Sequence, residues 1–153
     1  MRVTITTSVY TDVSPERIRE ALLDFSEKRL VTWSRSLDPA TYEVHEVGDT
    51  WAVVTEGTKR PFVWSKERYV WGEDHRIVWT TTESNFCTPG SHVSMDIVPN
   101  ETGGSRVHVV WDRTAANLRG RVNLAVIRLG GTRLLRWATR KSLSDVAQAY
   151  HDE

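Results

Sequence analysis

Residues 106–150 read RVHVVWDRTAANLRGRVNLAVIRLGGTRLLRWATRKSLSDVAQAY. In the first nine, Val107, Val109 and Trp111 alternate with His108, Val110 and Asp112, the period of a strand with one apolar face. Beyond Asn117 the period changes. Leu124, Ile127, Leu134, Leu135, Ala138, Leu143, Val146, Ala147 and Tyr150 return at helical spacing, mostly on one side, and predict a long helix from Leu118 to Tyr150. Gly130-Gly131 predicts a break or kink inside it. A helix laid across a strongly curved sheet buries one side of itself and one face of the sheet. Where the two diverge they enclose a cavity.

Upstream, Val3, Ile5, Thr7 and Val9 alternate with Arg2, Thr4, Thr6 and Ser8, which predicts a first strand with one buried face. Ser14-Pro15-Glu16 reads as an N-cap, a first-turn proline and an acidic first turn. Ile18, Ala21, Leu22 and Phe25 follow at helical spacing, and a second short helix is expected between Glu27 and Trp33. Turn chemistry at Gly48-Asp49, Gly72-Glu73-Asp74, Pro89-Gly90 and Thr102-Gly103-Gly104 then separates strands expected near 42–47, 51–57, 62–71, 76–84, 92–98 and 106–114. The whole is expected to be α+β in one domain spanning residues 1–153, with a curved seven-stranded antiparallel sheet wrapped around the C-terminal helix and two short helices after strand 1.

This order, the Ser14-Pro15 helix start, the Arg106-to-Thr114 strand and the Arg-rich segment with Gly130-Gly131 resemble the START-like, helix-grip superfamily, the SRPBCC or Bet v 1-like group. Within it the chain is similar to the polyketide cyclase/dehydrase family along almost its whole length. The resemblance implies a cavity for a hydrophobic, polyketide-like or aromatic small molecule and, if the chain is an enzyme, cyclase, aromatase or dehydratase chemistry without a cofactor. The alternative is a non-catalytic lipid or isoprenoid carrier. Convergent Arg, Tyr and Thr groups in the cavity favour the enzyme; an unbroken apolar lining favours the carrier.

Candidate chemistry concentrates in FVWSKERY, residues 62–69. Trp64, Lys66 and Arg68 share one face of this strand, and Ser65, Glu67, Tyr69 and Trp71 share the other. The Trp64 and Arg68 spacing resembles a strand of tetracenomycin-type aromatase/cyclases, in which such a pair lines the cavity. The resemblance implies Arg68 as the group that stabilises an enolate. Tyr69 is the candidate proton-transfer residue, although it lies on the opposite face from Arg68. Those enzymes resemble this chain less at the next strand, where a second Arg is expected and Trp79-Thr80-Thr81-Thr82-Glu83 stands instead. Trp33, Trp64, Trp79, Met95, Trp111 and Arg113 are the expected ligand contacts. Asp112 and Arg113 are adjacent and point to opposite faces, so each must pair elsewhere. The segment Glu83 to Ser91 is expected to be a surface loop, with Phe86 and Cys87 the residues that would gate an entrance.

Composition narrows the classes. Lys+Arg and Asp+Glu are 20 each, so the formal net charge is zero, which argues against a nucleic-acid binder. Hydrophobic residues at 39% and charged residues at 26% exclude wholesale disorder. Tryptophan is the unusual residue, with 7 copies against 3 Phe and 4 Tyr. The single Cys87 permits no intramolecular disulfide, no His pair has metal-ligand spacing, and no metal is expected. With no secretory signal pattern at the start and no apolar run long enough to span a membrane, a cytoplasmic location is expected. The charge is uneven. From Arg113 to Lys141 there are eight basic residues and no Asp or Glu. Arg133, Arg136 and Arg140 share a helical face, which a carrier protein or another anionic partner would meet.

Overall fold

The N-terminal alternation becomes β1 (Arg2–Thr11) in the computed structural model, which describes residues 1–72 and 75–151. Val3, Ile5, Thr7 and Val9 face inward, and Arg2, Thr4 and Thr6 face solvent. Ser14 caps α1 (Pro15–Leu22), its hydroxyl accepting from the backbone N–H of Arg17 at 3.4 Å. Ile18, Ala21 and Leu22 form the buried side of that helix, and α2 (Lys28–Thr32) follows. Then come β2 (Glu43–Val47), β3 (Trp51–Thr58), β4 (Val63–Val70), β5 (Arg76–Ser84), β6 (His92–Pro99), β7 (Ser105–Thr114) and α3 (Leu118–His151). Glu73 and Asp74 of the expected turn, and the side chain of Tyr150, lie outside the described residues.

The seven strands form one antiparallel sheet in the order β1-β7-β6-β5-β4-β3-β2. Residues 43–114 are a meander, and β1 crosses over to pair with the last strand, Ile5 opposite Trp111 and Val9 opposite Val107. Register shifts at Val44/Glu46 and Lys66/Glu67 bend the strands locally, as an extra residue on one side of a ladder does. This is the seven-stranded, helix-grip arrangement expected from the sequence.

The long helix is two helices joined at Gly131, whose φ of 55° and ψ of −145° are open to glycine and strained for any other residue. The first half packs Leu124 and Ile127 against Val3, Ile5 and Phe86, and the second packs Leu143 and Leu135 against the main core. Each fully buried aliphatic side chain, such as Ile18, Ile77 or Leu124, contributes roughly 1.5–3 kcal/mol. Among the described residues no helix is long and apolar enough to cross a membrane.

The segment between β5 and β6 departs from the expected surface loop. Phe86 and Cys87 are buried, Cys87 bridges Ala115, and the Thr88 N–H donates to the Thr114 carbonyl at 2.8 Å. Sheet curvature carries the end of β5 onto the start of α3, where a side chain at Gly120 would collide with the Phe86 carbonyl. The segment is therefore a strap across the end of β7.

Two measurements test these constraints. Gly131→Val should lower the unfolding free energy by about 1–3 kcal/mol, read from the urea midpoint at unchanged slope. On the convex face, Arg2 donates to both carboxylate oxygens of Asp112, at 2.9 and 2.6 Å, and these bonds hold the Asp112 carboxyl below the ordinary aspartate range. A depressed acid binds fewer protons folded than unfolded, so its stabilisation is complete above about pH 4 and disappears as the pH falls through the lowered value. Asp112→Asn should accordingly flatten the acid limb of the stability profile; an unchanged limb would detach Arg2–Asp112 from acid stability.

Candidate functional site

Alternation along the strands loads the concave face. It receives Ala52, Val54 and Glu56 from β3, Ser65, Glu67 and Tyr69 from β4, and Ile77, Trp79 and Thr81 from β5. Val93 and Met95 come from β6, and Val109, Trp111 and Arg113 from β7. Between this face, α2 and the second half of α3 lies a cavity of ≈ 240 Å³. Trp33, Trp79, Met95, Val109, Trp111 and Leu135 supply apolar wall, and Arg29, Ser36, Glu56, Tyr69, Arg113 and Ser142 bring polar atoms to it. The Tyr69 and Trp79 rings stack at 5.3 Å between centroids, and Phe25 meets Tyr69 edge-on at 5.2 Å.

One polar cluster is built on Arg29, only 4% exposed although α2 is a single short helix. Its Nε donates to Glu56 Oε1 at 3.0 Å, Nη1 to the Leu22 carbonyl at 2.7 Å and Nη2 to the Tyr69 hydroxyl at 3.1 Å. The Tyr69 hydroxyl in turn donates to Glu56 Oε2 at 3.0 Å. Burial pulls the Arg29 guanidinium down, but Glu56 and Tyr69 outweigh it and the pKa lies above the ordinary value. Burial first, and the Glu56 charge second, hold the Tyr69 phenol well above its usual range, so it stays protonated and works as a donor.

The second cluster is built on Arg113. Nη2 donates to Glu67 Oε1 at 3.1 Å and Nη1 to Thr81 Oγ1 at 2.9 Å, while the Thr81 hydroxyl donates to Glu67 Oε2 at 3.0 Å. Cys87 Sγ lies 3.5 Å from Nη1. No hydrogen bond among the described residues uses Nε of Arg113, and the guanidinium lies 5.5 Å from the Trp111 ring. Burial raises the Glu67 carboxyl above the ordinary glutamate range despite Arg113, and Glu67 keeps Arg113 fully charged against its own burial.

Of the residues singled out from sequence, Trp33, Tyr69, Trp79, Met95, Trp111 and Arg113 all line the cavity. Trp64 and Arg68 do not. They stand on the convex face, where the Arg68 guanidinium lies 4.8 Å above the Trp51 ring and Trp64 borders a shallow hollow with Phe62 and Lys66. The cause is electrostatic: turning that face inward would bury two cations, Lys66 and Arg68, whereas the opposite face brings one carboxylate, Glu67, to meet Arg113. Arg68 thus does not reach the cavity, and Arg113 and Arg29 are the guanidinium groups that line it. Glu56 and Arg29 escaped the sequence reading. Glu56 shares parity with Ala52 and Val54, a signal present in the alternation; five-residue α2 is too short to reveal a face, so Arg29 gave none. Asp112 and Arg113 pair elsewhere as their parity requires, with Arg2 and Glu67 respectively.

Beside the cavity, a larger groove of ≈ 1030 Å³ runs along the first half of α3. Pro61, Val63, Phe86, Leu118, Val122 and Val126 line it, and it shares Ser36, Trp111 and Arg113 with the cavity.

No family model matches the chain, and no curated protein matches it. Solved structures do. A START superfamily protein from Mycobacterium smegmatis is 11% identical, with a TM-score of 0.62 over 96% of this chain and 93% of that one. Norcoclaurine synthase from Thalictrum flavum, in complex with dopamine and hydroxybenzaldehyde, is 11% identical at a TM-score of 0.67 over 97% and 87%. The Zhui aromatase/cyclase from Streptomyces sp. R1128 is 11% identical at 0.62 over 97% and 88%. The chain has the START-like, Bet v 1-like fold of the SRPBCC group, and at these identities the likeness is one of fold.

The Arg113 cluster has a measurable signature. Arg113→Met leaves Glu67 buried without its cation and should cost about 3–5 kcal/mol, while adding Glu67→Gln should recover most of that loss. Additive losses in denaturant unfolding would show that the two residues are not coupled.

Proposed function

We propose that this chain binds a small aromatic or polyketide-like molecule in the cavity and acts on it by proton transfer, as a cyclase, aromatase or dehydratase. The observation that carries the reading is the convergence of Arg29, Glu56, Tyr69 and Arg113 on one aromatic-walled space. Both guanidinium groups already have a carboxylate partner, so the cavity is close to neutral and suits a neutral ligand with carbonyl or hydroxyl groups at its ends. Two of the similar structures support this reading, one an aromatase/cyclase and one a synthase in complex with dopamine and hydroxybenzaldehyde.

In this mechanism Trp79 and Trp111 restrict the ligand, and Glu56 takes a proton from a methylene flanked by carbonyls. The enolate carbon attacks a second carbonyl to form a carbon–carbon bond, and the new alkoxide takes a proton back; loss of water completes a dehydration. Arg113 supports negative charge on the enolate oxygen, with Nε as the available donor. Tyr69 and Arg29 are positioning residues, fixing the Glu56 carboxylate through the bonds described above. The buried lone thiol suits a reducing compartment such as the cytoplasm, and exposed Arg133 and Arg140 mark where a carrier protein would dock. The apolar lining of the groove favours a second reading, a non-catalytic lipid or isoprenoid carrier.

Native mass spectrometry of freshly purified protein should reveal a co-purifying small molecule with a conjugated or aromatic chromophore. With that molecule or its precursor as substrate, Glu56→Gln should lower turnover by about 10²–10⁴-fold. Tight binding with no turnover in the wild type would select the carrier.

A further inference from the structure

The kink at Gly131 divides α3 between two spaces: residues after it close the cavity, and residues before it wall the groove. The spaces meet at Ser36, Trp111 and Arg113, and their chemistry is opposite. The cavity holds the Arg29–Glu56–Tyr69 cluster. The groove offers Pro61, Val63, Phe86 and three α3 side chains that are exposed as they stand, Leu118 at 76%, Val122 at 58% and Val126 at 59%. An apolar row of this kind, turned outward on a helix whose other side packs into the core through Leu124, is surface in search of cover.

We infer that the groove is a tail subsite: the natural ligand is an amphiphile whose ring-bearing, oxygenated head occupies the cavity and whose hydrocarbon tail leaves past Trp111 and lies along the first half of α3. The inference rests on the proposed head site. Adjacency is what commits the groove to this occupant: Ser36, Trp111 and Arg113 border both spaces, so the groove is the apolar surface that a chain leaving the cavity past Trp111 would meet first. Volume agrees. The cavity alone, at ≈ 240 Å³, falls below the roughly 300–1,000 Å³ usual for drug-sized ligands, and the groove supplies the remainder.

The probes are phenol and a series of 4-alkylphenols from methyl to octyl, titrated against the full chain by calorimetry. Affinity should rise roughly fourfold per added methylene while the tail is being buried. Val122→Asp combined with Val126→Asp should flatten this slope; both side chains are exposed, and circular dichroism checks that the fold persists. No slope in the wild type, with phenol still bound, overturns the tail subsite and leaves the head reading standing. The same slope in the double variant also overturns it, because the tail then lies elsewhere. A normal slope lost in the double variant supports the subsite, and if Trp79→Ala, which removes a ring of the cavity wall alone, leaves phenol affinity untouched in that case, the head reading is what fails. A stable dimer in sedimentation that the double variant dissociates would assign the face to a second copy and overturn the inference.

Discussion

Arg113 reaches across the concave face of the sheet to Glu67 at 3.1 Å, with both groups almost wholly removed from water. A pair in that position is costly to assemble, and much costlier to leave half assembled. Its demands propagate. Glu67 must face inward, so Val63, Ser65 and Tyr69 do as well, and Trp64, Lys66 and Arg68 must face out. Thr81 is drawn in to bridge the two partners, and the register shift at Lys66/Glu67 sits beside the point where that bridge is made. Phe86 lies 5.7 Å from the guanidinium, and the 85–91 strap that carries Phe86 and Cys87 closes the open side.

The same logic governs the other end of the cavity. Arg29 comes from a helix with little apolar face of its own, and its hydrogen bonds to Glu56 and Tyr69 tie that helix to the sheet while the one to Leu22 ties it to α1. The consequence for chemistry is a cavity with strong local fields and little net charge. Charged groups are held in place before any ligand arrives, which on the proposed catalytic reading spares the cost of orienting them as charge develops on a reacting oxygen. The Tyr69 phenol, kept protonated by burial, donates its one hydrogen to Glu56 and so fixes that carboxylate together with Arg29.

Legibility from sequence follows how local each signal is. Strands and helices declared themselves because alternation and helical spacing are properties of neighbouring residues, and the kink was readable because two adjacent glycines have few other uses inside a helix. The inward face of β4 was not readable. FVWSKERY is amphipathic in both directions, with aromatic and charged residues on each face, and the deciding partner, Arg113, lies 46 residues away in sequence. Arg68, an exposed cation over Trp51, looked like the anchor because a Trp and an Arg four residues apart fit a known pattern, and local spacing carries no information about which partner waits across a curved sheet. Arg113 could be marked as paired somewhere, from parity alone, but not with whom. Glu56 was recoverable from parity with Ala52 and Val54; Arg29 was not, since its burial depends wholly on contacts distant in the chain.

Gly131 connects this electrostatic frame to the two spaces it borders. A straight helix of the same length could cover only one direction on the twisted sheet, so its ends would leave the concave surface. With a turn at Gly131 the first half follows β1, burying Leu124 and Ile127, while the second crosses the cavity and presents Leu135, Thr139 and Leu143 to it. Thr139 satisfies its own hydroxyl on the Leu135 carbonyl at 2.8 Å, so this wall adds little polarity. The charged groups of the cavity thus come from the sheet and α2, and the helix contributes shape and the single hydroxyl of Ser142. The tryptophans divide along the same line. Trp33, Trp79 and Trp111 wall the cavity, Trp51 packs under Arg68 on the far side of the sheet, and Trp137 is exposed on the helix. Their abundance serves both faces of one curved sheet, and only the inner group stands where the charged clusters converge.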